Sequence, residues 1–337
     1  MMEKIRAFLS KEAVLVVAAL AAATSCALVP FDEGYASYVD WHTLALLFCL
    51  MAVVTGLRFM GVMRLLGSWA VSRAPSVRAL AFALVALTFV SSMAVTNDVA
   101  LITFVPLALV VLAEAGESRF TASVGVLMTV SANLGSMLLP VGNPQNLFLY
   151  RVSGMDFFQF ALIMVPVVAL SAVMLVAAVL IVFRGNAEGL SNRTSRKALP
   201  KPTGRQGFMF VSYLLLFVLS VMAVVGFIDA FAVAILVAFV LLFLDRRSLA
   251  KVDYGLLLTF VALFVFVGNM ARVPAVHEAL SALVGIAPFC AAVGSSQVIS
   301  NVPAAVLLSG FTNDWTALIV GTNLGGLGTP IPSMASL

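Results

Sequence analysis

Charge is scarce in this chain. Asp, Glu, Lys and Arg make up 10% of its 337 residues and 62% are hydrophobic, whereas a soluble domain is roughly a quarter charged. That shortage excludes water as the main solvent. Cysteine is almost as rare: Cys26, Cys49 and Cys290 stand singly inside apolar runs, which excludes a disulfide framework or a cysteine zinc site and leaves each as a small hydrophobe. Only two histidines occur, His42 and His277. They stand apart near the ends of apolar runs, without the helical His and Glu spacing of a zinc protease. The serines have no His or Lys partner at membrane depth and no phosphate-binding loop is present, so the chain reads as neither an enzyme nor an ATP-driven pump, with no organic cofactor. The net charge of +4 lies in the connecting segments; it reports topology and excludes a nucleic-acid partner.

What fills the chain instead is one apolar run after another, each near the roughly 20 residues that a helix needs to cross a bilayer. Candidate spans are 13–29, 41–60, 78–94, 98–115, 120–150, 157–183, 208–227, 230–244, 254–270, 279–294, 302–312 and 315–337. The first resembles a signal peptide, with Lys4, Arg6 and Lys11 ahead of it, but it is long enough to serve as an uncleaved first helix. Arg58, Arg64, Arg73 and Arg78 crowd one connection, and Arg184, Arg193, Arg196, Lys197, Lys201 and Arg205 crowd the central linker. Positively charged loops stay in the cytoplasm. Both segments are therefore expected there, with Asp32, Glu33 and Asp40 outside and the N-terminus cytoplasmic, in a bacterial-type inner membrane.

Three features recur in order. Asp40-Trp41 opens a span as Asp253-Tyr254 does; Thr96-Asn97-Asp98 matches Ser300-Asn301-Val302; Asn133-Leu134-Gly135 with Pro140 matches Asn323-Leu324-Gly325 with Pro330 at the same spacing. Under the positive-inside assignment the copies have opposite orientation, which makes an inverted repeat, a hallmark of secondary transporters. The expected fold is an all-α polytopic membrane protein whose inverted repeats carry re-entrant hairpins and unwound transmembrane helices. Its organisation is an N-terminal helix and outer loop (1–39), a first repeat (40–183), a basic cytoplasmic linker (184–207), connecting helices (208–252) and a second repeat (253–337).

The polar break Thr96-Asn97-Asp98 lies between two apolar arms, and backbone at that depth must be hydrogen-bonded or line a watery cavity. Its oxygens can ligate a hard cation such as Na+; the plain alternative is a helix cap. Asp98 is an intramembrane acid, a functional hypothesis by default. The second motif, Asn133 to Asn146, holds Gly135, Pro140, Gly142 and Pro144, and each proline removes a donor. Unwinding there frees carbonyls for a cation and N–H groups for an anion, with Asn143, Gln145 and Asn146 as side-chain ligands. The second copy offers Asn323, Gly325, Thr329 and Ser333. Proline-kinked packing of small residues is the plain alternative.

Thr-Asn-Asp-Val-Ala-Leu followed by Asn-Pro-Gln-Asn, then Ser-Asn-Val-Pro-Ala followed by Asn-Leu-Gly-Gly-Leu-Gly-Thr-Pro, resembles the ion transporter superfamily of citrate-transporter-like permeases, which includes divalent-anion:sodium symporters and arsenite permeases. The likeness covers about residues 40–337. It implies that Thr96 and Asn97, and Ser300 and Asn301, lie at the tips of two opposed hairpins and hold Na+. It also implies unwound segments that complete two cation sites flanking a central substrate, and a homodimer that works by an elevator-like motion. Several symporters of the group carry Ser-Asn-Thr at both tips; Thr-Asn-Asp and Ser-Asn-Val depart from that pattern, and Asp98 points toward proton coupling instead.

The leading expectation is a secondary active transporter in the lipid bilayer moving a small anion or oxyanion, coupled to Na+ or H+. A Na+/H+ antiporter using Asp98 is the alternative, and a non-transporting membrane structural protein a remote one. No Lys or Arg falls in the motifs, so helix N-termini, amides and coupled cations are expected to meet the substrate's charge. Because Leu147 to Phe183 follows the first unwound segment and nothing follows Leu337, the repeat alignment predicts a chain truncated at its C-terminus by about one and a half helices.

Overall fold

The computed structural model describes residues 12–61, 65, 67, 74–184 and 204–327. The protein is an all-α polytopic membrane protein. Its principal helices are α1 (Ala13–Leu28), α2 (Trp41–Phe59), α3 (Val77–Val95), α4 (Asn97–Glu114), α5 (Thr121–Ser136), α6 (Pro144–Ser153), α7 (Phe157–Val182), α8 (Gly204–Val225), α9 (Ala230–Leu244), α10 (Tyr254–Ala271), α11 (Pro274–Ile286), α12 (Pro288–Ile299), α13 (Asn301–Ser309) and α14 (Trp315–Gly325). Six of them are long and apolar enough to span a membrane unaided. Their outward faces are apolar: Phe158, Leu162 and Ile181 on α7 and Ile235, Phe239 and Phe243 on α9 are all exposed, an arrangement suited to lipid rather than water.

Several of the scarce aspartates begin helices. Asp40, Asp156, Asp229, Asp253 and Asp314 each accept a backbone N–H from the first turn of α2, α7, α9, α10 and α14, satisfying a donor that the helix leaves unpaired. For α7 the cap is reciprocal, because the Asp156 N–H donates to Gln159 Oε1 at 3.1 Å.

Three regions depart from the spans expected of the sequence. The run 279–294 is not one span: α11 and α12 meet at 110°, since Ala287 precedes Pro288 and is driven out of the helical region to φ −151°, ψ 74°. The run 120–150 is interrupted as expected, but later. Asn133 and Gly135 sit in the last turn of α5, and the break spans Met137 to Asn143 with a 3-10 turn at Pro140–Gly142. Likewise Asn323 and Gly325 end α14 within helix. A helix continues until proline denies it a donor, and Pro140 lies several residues beyond Asn133.

α3, α4 and α5 pack together as one group and α12, α13 and α14 as another, while α13 and α14 also contact α6. Around them, α1 packs along α10, and α2 packs against α8 and α9. The approach of α2 to α8 depends on Gly56, where a Cβ would fall 1.9 Å from the ring of Tyr213. The Tyr213 hydroxyl donates to Asp245 Oδ2 at 2.8 Å, which ties α8 to the turn after α9.

Candidate functional site

The hairpin α3–α4 turns at Thr96 and the hairpin α12–α13 turns at Ser300. Among the described residues these are the two non-glycine positions with positive φ. Thr96 has φ 73°, ψ 151° and Ser300 φ 78°, ψ 159°, a backbone region that is essentially glycine-only and costs about 1–3 kcal/mol for other residues. Such strain persists only where the surroundings fix it, and it concentrates at ligand clamps. The turn places Asn97 and Asn301 as the first residues of α4 and α13. Neither helix is capped by the side chain before it, which leaves the first N–H groups of α4, and those of Asn301 and Val302 in α13, without a side-chain cap among the described residues.

Each hairpin holds the helix that follows it, α5 or α14, in the same register. A Cβ on Gly135 would meet Phe89 O at 2.1 Å and Ser92 Oγ at 2.4 Å; one on Gly325 would meet Ser296 Cβ at 2.6 Å and Val293 O at 2.9 Å. Phe89 and Ser92 stand in the same positions before Asn97 as Val293 and Ser296 before Asn301. Glycine is required at both sites by close backbone approach. Gly142 is also a packing residue, its Cβ position lying 2.1 Å from Ser136 O.

Side-chain pairing then differs between the halves. Asn97 Nδ2 donates to Asn133 Oδ1 at 2.9 Å, and Asn133 Nδ2 to Thr129 O at 3.1 Å. Asn323, the counterpart of Asn133, turns away from its own tip. Its oxygen accepts from Asn143 Nδ2 at 3.0 Å, and its Nδ2 donates to Asn146 Oδ1 at 2.5 Å and to Ile319 O at 2.7 Å. Asn301 Oδ1 and Ser296 Oγ are left buried with no hydrogen-bond partner among the described residues. Gln297 Nε2 donates to the Gly325 carbonyl.

Both tips face one cavity of about 650 Å³, lined by Asn97, Asp98, Ser300, Asn301, Val302 and Pro303, by Pro144 and Gln145 from the first turn of α6, and by Glu12, Lys251, Asp253, Tyr254 and Thr259. Of the residues singled out in the sequence, Asn97, Asp98, Gln145, Ser300 and Asn301 meet there. Thr96 is half-buried at the turn behind Asn97. Asn133 backs Asn97; Gly135, Gly142 and Gly325 serve packing; Asn143, Asn146 and Asn323 bond to one another, buried away from the cavity. Thr329 and Ser333 lie outside the described residues, as does most of the basic linker.

Sequence reasoning missed the cavity's charged rim. Glu12, Lys251 and Asp253 line it beside Asp98, so a base accompanies the acids from outside the motifs. Asp253 was visible as a repeat landmark; Lys251 sits two positions before it, and nothing in local spacing marks it as a neighbour of the tips. Among the described residues no three His, Cys, Asp or Glu side chains gather to hold a metal ion. The tip donors are amide and hydroxyl oxygens, a set suited to a hard cation.

The other end of α10 is closed by charge. Arg272 donates to both carboxylate oxygens of Asp32, at 3.0 and 2.6 Å, and to Tyr38 Oη at 2.9 Å. The guanidinium holds the Asp32 carboxyl below its ordinary range.

Two hairpins with strained tips, meeting an interrupted helix at a cavity among membrane-length helices, define a membrane permease rather than a packed helical bundle. A family model described as citrate transporter matches residues 1–313, and the chain belongs to that family, a group of multi-pass membrane transporters, in agreement with the resemblance carried by the tip motifs. It is 30% identical over 315 residues to the inner membrane protein YbiR of Escherichia coli, covering 92% of this chain and 82% of that one. It is 29% identical over 306 residues to the uncharacterized transporter MJ0456 of Methanocaldococcus jannaschii, covering 89% and 80%. A shorter match, 34% over 140 residues, covers 41% of this chain and 28% of the silicon efflux transporter LSI3 of Oryza sativa subsp. japonica.

Proposed function

We propose that this transporter moves a small anion or oxyanion across the cytoplasmic membrane, coupled to Na+ or H+, with the solute held between the two hairpin tips. The observation that carries this reading is the convergence of the uncapped N-termini of α4 and α13 on one cavity, with the first turn of α6 beside them. Each such terminus presents N–H groups that no side chain caps among the described residues and the positive end of a helix dipole, which together favour an anion. The site is neither a catalytic centre nor a cofactor pocket in this reading; its chemistry is reversible binding.

The second tip is the place for a coupling cation. Asn301 Oδ1 is an acceptor at 7% residue exposure without a donor among the described residues, and a buried acceptor of this kind is costly unless something occupies it. Lys251 lines the cavity, and Arg246 and Arg247 precede it by a few residues in the connection between α9 and α10. By the positive-inside rule that face is cytoplasmic, the N-terminus with it, and the cavity opens inward. The working unit is a homodimer, as the resemblance implies, which light scattering of the detergent-solubilised protein checks.

Uptake into proteoliposomes of citrate, arsenite and silicic acid, under imposed Na+ and pH gradients, tests the proposal. Gradient-driven uptake of at least one solute is expected, and none with any gradient would refute it. One observation favours a second reading, Na+/H+ antiport: Asp98 is exposed to the cavity beside Asp253 and Glu12. Sodium-driven proton release without any added solute is its signature. An Asp98→Asn variant whose transport keeps the wild-type pH profile would remove Asp98 from either coupling scheme.

A further inference from the structure

Asn143, Asn146 and Asn323 carry the residue type expected of ligands, yet none of the three lines the cavity. Their exposures are 3%, 0% and 2%, and their amides are engaged with one another and with backbone. Asn143 caps α6 by accepting the Asn146 N–H at 2.9 Å and donates its own Nδ2 to Asn323 Oδ1. Asn146 accepts from Asn323 and donates to Met137 O at 3.1 Å, inside the interruption between α5 and α6. One side chain from α14 is thus inserted between the cap and the third residue of α6, across 180 positions of sequence.

The consequence is mechanical. Pro144 and Gln145, which line the cavity, lie between the two residues that Asn323 holds. α14 is in turn fixed to the second hairpin through Gln297 and the close packing at Gly325. The first turn of α6, belonging to the first half, is therefore referenced to the tip of the second half rather than to its own.

We propose that Asn323 is a positioning residue: with Asn143 and Asn146 it locks the broken helix of one half to the hairpin of the other, so that both sides of the solute site move as a single body. This rests on the transport reading above, but the lock itself can be measured without a substrate. Spin labels at Arg151→Cys on α6 and Thr316→Cys on α14, both exposed positions, are introduced in a background with the native cysteines replaced by alanine. Their distance distribution is then recorded by double electron–electron resonance.

Wild-type pairing should give a narrow distribution and Asn323→Ala one at least about two-fold broader, since buried polar pairs fix a unique packing. Should Asn323→Ala fold poorly, the double variant Asn146→Leu/Asn323→Leu removes that donor and acceptor together, leaves Asn143 Nδ2 its contact with Ser136 O at 3.4 Å, and should broaden equally. In proteoliposomes, with citrate and arsenite as probes, the lock predicts a fall in Vmax of about ten-fold with KM within about three-fold, the pattern of a residue that does not touch the solute. An unchanged distance distribution in a folded variant would overturn the proposal, as would a ten-fold rise in KM at constant Vmax, which would make Asn323 a ligand. If wild-type protein carries neither probe, the transport reading fails while the distance measurement still decides on the lock.

Discussion

In the first half of the molecule Asn97 gives its amide hydrogen to Asn133, so the tip is tied to its own broken helix. In the second half Asn323 bonds across to α6, and Asn301 keeps a buried oxygen without a donor among the described residues. Backbone geometry is matched at the two tips, to within 5° in φ and 8° in ψ between Thr96 and Ser300; polar pairing is not. Matched halves therefore supply the shape of a cavity entered by two helix N-termini, and the unmatched amides distinguish its two sides. One tip is self-satisfied and the other has an acceptor ready for a ligand.

The matched backbone is the harder part to disturb. Gly135→Ala would drive a methyl against the carbonyl of Phe89, and backbone cannot swing aside, so a destabilisation of about 3 kcal/mol is expected, with a clear loss of Tm. Gly325→Ala would meet Ser296 Cβ at 2.6 Å and the Val293 carbonyl at 2.9 Å, a less severe overlap than the 2.1 Å at Gly135, and should cost about 2 kcal/mol. Equal losses, read by thermal unfolding in detergent, would mean that the two close approaches are equally rigid.

Smaller effects come from the tips. Asn97→Ala removes the donor to Asn133 Oδ1 and should cost about 1 kcal/mol, whereas Asn301→Ala removes an acceptor that has no partner among the described residues and should fall within about 0.5 kcal/mol of wild type when no ligand is present. A larger stability loss for Asn301→Ala than for Asn97→Ala would break the asymmetry.

The smallest effect belongs to the exposed Asp32–Arg272 pair, far from both tips. Its carboxyl pKa is depressed in the folded state, so its contribution is present above the unfolded carboxylate pKa and is lost as pH falls through the folded value. Arg272→Ala should lower Tm slightly at neutral pH, and the difference should vanish in acid. A difference that persists at low pH would assign the effect to the Tyr38 contact instead.

Much of this was legible in the chain itself. Proline and glycine spacing located the interrupted helix, and the polar tripeptides in apolar surroundings located both tips, because each of these signals is local. The bend between α11 and α12 was equally local, at Ala287-Pro288, but an uninterrupted apolar run concealed it. Pairings that join distant segments left no such trace. Asn323 is followed by the same Leu-Gly pair as Asn133, and only packing decides that one bonds within its half and the other across. Lys251 and Glu12 reach the cavity because α10 starts beside it, a fact of assembly rather than of spacing.

The second tip is the proposed seat of the coupling cation. Initial uptake rates in proteoliposomes, measured against Na+ concentration and against pH for wild type, Asn97→Ala and Asn301→Ala, address that claim directly. The prediction is that Asn301→Ala raises the half-saturating cation concentration about ten-fold or more while Asn97→Ala shifts it by less than about three-fold. Equal shifts for the two variants, or a larger one for Asn97→Ala, would contradict it.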